Sequence, residues 1–90
     1  MTKKIRVIFF QEGDSWLAQG LEHDICVQAP TVEDLFGRFE VAVRLEKDSN
    51  GKLDHIGKAP SHFFDAWEKR SADVNPKNKR GNDLEFALAA

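Results

Sequence analysis

The stretch from Trp16 to Leu45, WLAQGLEHDICVQAPTVEDLFGRFEVAVRL, constrains the fold more than any other because its hydrophobic period changes partway along. Trp16, Ala18 and Gly20 alternate with Leu17, Gln19 and Leu21; after His23-Asp24, Ile25, Val27 and Ala29 alternate with Cys26 and Gln28. Period two is the signature of strands, whose successive side chains point to opposite faces. Pro30 ends the second run. Thr31 then offers a hydroxyl to an orphan helix N–H, with Glu33 and Asp34 at the positive end of the helix dipole. From Val32 to about Glu46 the period becomes 3.6, and Val32, Leu35, Phe36, Phe39, Ala42 and Val43 form a stripe that must cover one face of the sheet. Val41 and Leu45 point nearly the opposite way, and the aromatic segment Phe63-Phe64-Trp67 is the expected cover for them.

The flanking segments complete an α+β pattern. Lys4 to Gln11 reads as a first strand, with Ile5, Val7 and Phe9 on one face and Arg6, Ile8 and Phe10 on the other. Glu12-Gly13-Asp14-Ser15 is a turn by composition, so a hairpin leads into Trp16, and the Glu22-His23-Asp24 corner turns the chain into a three-stranded antiparallel meander. Lys47 to Gly51 ends the long helix, with Gly51 a left-handed cap. Leu53 to Lys58 is a connector of undecided structure. A short second helix runs from Pro60-Ser61 to about Arg70 on the apolar face Phe63, Phe64 and Trp67. Ser71 to Asn82 loses all periodicity and reads as a mobile loop at about 71–82. Asp83 to Ala89 alternates again as a C-terminal strand.

With 90 residues the chain builds one domain, 1–90, around one core. A net charge of -2 and a pI near 5.9 give no global attraction to nucleic acid or anionic membrane. The single cysteine, Cys26, cannot close an internal disulfide, no apolar run is long enough to span a bilayer, and the start of the chain lacks a secretory pattern. The expected compartment is the cytoplasm.

Three runs carry a family resemblance: Gly13-Asp14-Ser15-Trp16-Leu17-Ala18-Gln19, Leu21-Glu22-His23-Asp24-Ile25, and Gln28-Ala29-Pro30-Thr31-Val32-Glu33-Asp34-Leu35. A turn, an aromatic residue opening a small-residue strand, an acidic corner and a Thr-capped helix, in that order, resemble the HicB-like antitoxin family over about the first half of the chain. The resemblance implies a degenerate ribonuclease H-like fold of three strands, a helix and a further strand, which masks the active site of a small basic ribonuclease toxin of the HicA type. The Asp-Leu-Pro-Gly-Cys style corner of many members is Glu22-His23-Asp24-Ile25-Cys26 here. The residues after Arg70 are too few for the DNA-binding motifs that members often carry, so a stand-alone domain is expected.

For catalysis, the residue types are present but the pattern is not. Glu12, Asp14, Glu22, Asp24 and Glu40 lie in turns and on the helix, whereas a two-metal nuclease needs acids converging from strands. His23, Asp24 and Cys26, with His55 or His62, do not match a zinc spacing, and Cys26 between Ile25 and Val27 reads as a small buried or half-buried hydrophobe. No histidine has an identifiable orienting partner for nucleophilic catalysis. Lys77, Lys79 and Arg80 are a basic cluster short enough to be a solvated loop. The expectation is a protein that is not an enzyme and uses no cofactor or metal, with Glu12, Asp14, Glu22 and Asp24 facing a basic protein partner. The alternatives are a small RNA-binding or metal-dependent nuclease domain on the same sheet, or a self-associating domain. Surplus apolar surface on the first strand predicts a homodimer with Ile8, Phe10, Val41 and Leu45 at the interface.

Overall fold

A computed structural model describes residues 4–51, 53, 56–74 and 84–90, apart from the side chain of residue 50. The elements are β1 (Ile5–Glu12), β2 (Ser15–Gly20), β3 (Cys26–Ala29), α1 (Val32–Asn50), α2 (Ser61–Glu68), β4 (Ala72–Val74) and β5 (Leu84–Leu88). They form an α+β fold with one five-stranded sheet of order β3-β2-β1-β5-β4. The expected meander is present as β1-β2-β3, but it is only part of the sheet. β5 pairs parallel with β1, Ile5 opposite Leu84 and Phe9 opposite Leu88, which makes β1 the central strand. β4 adds antiparallel to β5 at the far edge, inside a segment expected to be a loop. The remainder of that loop, including Lys77, Lys79 and Arg80, lies outside the described residues.

Local chemistry explains the meander. The β1–β2 hairpin closes over Gly13-Asp14, with Glu12 opposite Ser15. Gly13 sits at φ 63° and Asp14 does not take a positive φ, the pattern of a type II′ turn whose twist matches the strands. α1 begins at Thr31, extended at φ -135°, whose hydroxyl accepts from the Asp34 N–H at 3.2 Å. Such caps contribute about 1 kcal/mol. The helix runs a turn past Glu46, because Asp48, Ser49 and Asn50 continue it until Gly51, at φ 81°, donates its N–H to the Lys47 carbonyl.

The two helices cover opposite faces. On one, Leu35, Phe39 and Val43 of α1 pack on Val7, Phe9, Ala18 and Phe86 in the main core, where Phe36 meets Phe86 edge-on at 4.8 Å. On the other, Trp67 of α2 buries against Ile8, Leu21 and Ala87, with Phe63 and Phe64 alongside. α2 is held by charge as well as by apolar contact. The Arg6 guanidinium lies 5.3 Å from the Phe64 ring centre, and Arg70 lies 4.8 Å from that of Trp67.

This arrangement corrects two expectations. Ile8 is fully buried within the chain beneath α2, so its side chain cannot meet a second subunit. The aromatic segment of α2 packs on the sheet face opposite α1, so it does not cover Val41 and Leu45, which are 48% and 61% exposed. Among the described residues no helix is long and apolar enough to cross a membrane.

Candidate functional site

The four acids expected to face a partner fall at opposite ends of β2. Glu12 and Asp14 flank the hairpin tip and are exposed. Glu22 and Asp24 lie at the corner, beyond the far end of this six-residue strand. At about 3.3 Å per residue the ends are roughly 20 Å apart, more than two Debye lengths at physiological salt. The acids therefore do not make one contiguous patch.

At the corner both carboxylates are used by the fold. Leu21 N–H continues the ladder by donating to the Arg6 carbonyl, and the Arg6 N–H is then taken by Glu22 Oε1 at 2.7 Å. The second oxygen of Glu22 accepts from Arg6 Nε at 2.5 Å, so one side chain replaces a missing strand carbonyl and holds the guanidinium under α2. Asp24 Oδ1 accepts from Nε2 of Gln19, a buried polar residue that also donates to the Gly20 carbonyl. The Asp24 N–H donates to the Gly57 carbonyl at 2.7 Å and the Ala59 N–H to that of Leu21 at 3.0 Å, so residues 56–59 are a strap across the corner. Gly20 is required here, since a Cβ would stand 2.7 Å from the His23 carbonyl oxygen and 3.0 Å from the Phe39 ring. The strap joins residues distant in sequence and no local pattern signals it, whereas the Gln19–Asp24 contact spans only the turn between them.

Beside the corner is a groove of about 540 Å³ that the sequence reading missed, lined by Asp24, Ile25, Cys26, Ala42, Leu45, Glu46 and Ile56. It runs between the outer edge of β3 and the flank of α1. Cys26 is exposed rather than buried, because it lies on the edge strand and its side chain shares the face of Gln19 and Ile8, beyond the part of that face that α2 covers. Desolvation by its neighbours, and then the charges of Asp24 and Glu12, push its thiol above the ordinary pKa. Phe10 is half-buried, its ring centre 5.9 Å from that of Phe63.

Acids also occur on strands: Glu85 of β5 pairs with Lys4, and Asp73 of β4 with Arg70. Among the described residues no group of three histidine, cysteine, aspartate or glutamate side chains is placed to hold a metal ion. His23 Nδ1 lies 3.1 Å from the Ile56 carbonyl, a contact to the strap. No family model, no curated protein and no solved structure matches the chain.

Proposed function

We propose that this domain is a non-catalytic protein-binding module of the HicB-like antitoxin kind, acting in the cytoplasm on a small basic protein, by resemblance a HicA-like ribonuclease toxin. The finer fold assignment, a degenerate ribonuclease H-like sheet, belongs to the same proposal. It is supported by the order of three antiparallel strands, a helix and a returning strand. The observation that carries the binding reading is the pairing of an open edge strand with carboxylates held in place by the fold. Asp24 is fixed by Gln19 and by the strap beside the start of β3, so its charge is presented without an ordering cost at binding. Glu12 and Asp14, exposed on a tight hairpin, add a second negative point that steers encounter.

Stopped-flow association with a HicA-like ribonuclease at low and high salt tests this. Glu12→Gln with Asp14→Asn should slow association at low salt and have little effect at high salt, because exposed charges act mainly on encounter. A rate independent of salt in both proteins would remove the steering role, and absence of binding would remove the reading. Self-association is the second reading, and the exposure of Val41 and Leu45 favours it. Sedimentation equilibrium decides it: a monomer mass throughout the micromolar range excludes a dimer.

A further inference from the structure

We propose that the groove along β3 receives an extended segment of a partner protein, which adds to the sheet as a further strand and sets a lysine or arginine against Asp24. This deepens the protein-binding reading and rests on it.

The backbone of β3 supplies the first argument. The bond from the Gly20 N–H to the Ile25 carbonyl, in the register that pairs Ala18 with Val27 and Trp16 with Ala29, turns Ile25, Val27 and Ala29 inward to β2. The N–H and C=O groups of Cys26 and Gln28 must then point away from the sheet. α1 reaches one of them, since Arg38 donates to the Gln28 carbonyl at 2.6 Å. Among the described residues the Cys26 N–H, the Cys26 carbonyl and the Gln28 N–H meet no partner. An open edge of this kind is a template for strand addition.

The walls supply the second. α1 runs back along β3, so Arg38 lies beside Gln28 while Ala42 and Leu45 lie beside Cys26. Leu45, at 61% the most exposed large apolar side chain among the described residues, borders the groove, and Ile56 of the strap lines it as well. A strand laid on β3 would turn alternate side chains onto this apolar wall.

Charge selects the occupant. Among the described residues Asp24 lines the groove with one carboxylate oxygen, Oδ1, accepting from Gln19, and the negative field of Asp24 and Glu12 is felt at the Cys26 thiol. Arg38, at the other end, is committed to Gln28. β3 is Cys-Val-Gln-Ala, so pairing it with a second copy of itself brings no cation from that strand, whereas an extended segment carrying a lysine or arginine does.

The test is a titration of the labelled domain, followed by its amide resonances, with the capped hexapeptide lysine-valine-threonine-valine-threonine-valine. We expect saturable shifts at the amides of Cys26, Gln28 and Leu45 with a Kd of about 1 mM or tighter. Glutamate in place of the lysine should weaken binding by about tenfold or more, and N-methylation of alternate peptide amides should abolish it. Gln28→Pro removes an outward N–H and leaves the inward ladder in place, so binding should be lost while distant resonances stay where they were. The proposal is overturned if those amides show no saturable shift, or if the lysine and glutamate peptides bind alike. It is equally overturned if the same amides shift with protein concentration alone, which would put a second copy in the groove. If the peptide fails yet a basic protein binds with a salt dependence that Glu12→Gln and Asp14→Asn remove, the groove falls and the binding reading stands. If the peptide binds as expected and no HicA-like ribonuclease does, the toxin reading falls and the groove stands.

Discussion

At the corner end of β2, Glu22 and Asp24 accept hydrogen bonds from Arg6 and Gln19, while at the hairpin end Glu12 and Asp14 stand exposed beside a type II′ turn. The residue types are the same and the composition alone cannot distinguish them. What separates them is whether the chain returns to that end of the strand. The strap, α1 and α2 all converge on the corner, so its carboxylates become part of the fold; among the described residues Glu12 and Asp14 at the tip stay exposed beside the two-residue turn. The same acids thus divide into a structural pair, of which Asp24 also faces the groove, and a purely electrostatic pair.

The largest effect should come from the floor of the corner. Phe39→Ala removes the ring against which Gly20 packs and should cost about 3–5 kcal/mol in chemical denaturation, as large core aromatics do. A loss under about 1 kcal/mol would mean that the corner does not rest on the core.

Next is Glu22→Ala, which strips two charge-assisted bonds from Arg6 and should cost about 2 kcal/mol. Glu22→Gln keeps an acceptor for the Arg6 N–H and should recover part of that. If Glu22→Ala proved as mild as a surface change, the contrast between the ends would collapse.

At the tip, Glu12→Gln with Asp14→Asn should change stability by less than about 0.5 kcal/mol while slowing association with a basic partner. A large loss of stability there would show the tip to be as structural as the corner.

The smallest effect concerns Cys26. Its raised thiol pKa leaves less thiolate at pH 8 than in an unhindered thiol, so alkylation by iodoacetamide should be slower than that of a short cysteine peptide. Asp24→Asn removes one of the charges that raise the pKa and should speed the reaction modestly. No change would place the Asp24 charge outside the reach of the groove.

What could be read from the sequence was what neighbours in sequence decide. The hairpin, the Thr31 and Gly51 caps, the stripe Leu35-Phe39-Val43 and the alternation of β5 are all local, and all are found in the structure. β4 escaped because three residues show no period, and its strand character comes from pairing with β5. The alternation of β1 predicts which side chains share a face, not what lies over it, so Ile8, expected at a dimer interface, is instead buried by α2. The roles of Glu22 and Asp24 depend on Arg6 and Gly57, and the groove needs β3, α1 and the strap together, so neither could be read from any one stretch.

The parallel pairing of β1 with β5 bears on how the chain is made. β1 leaves the ribosome ahead of β2 and β3 and can take them up within moments, yet its other side stays unzipped until residues 84–88 have been translated and cleared the exit tunnel. Through that interval Ile8 and Phe9 sit on an open edge of the nascent chain, without the strand that carries Phe86 and Ala87. A stalled or truncated product would release such an edge into the cell, where it is a template for aggregation. Truncation before β5 should therefore leave an insoluble protein rather than a trimmed but folded one, as sedimentation of a chain ending before Leu84 would show.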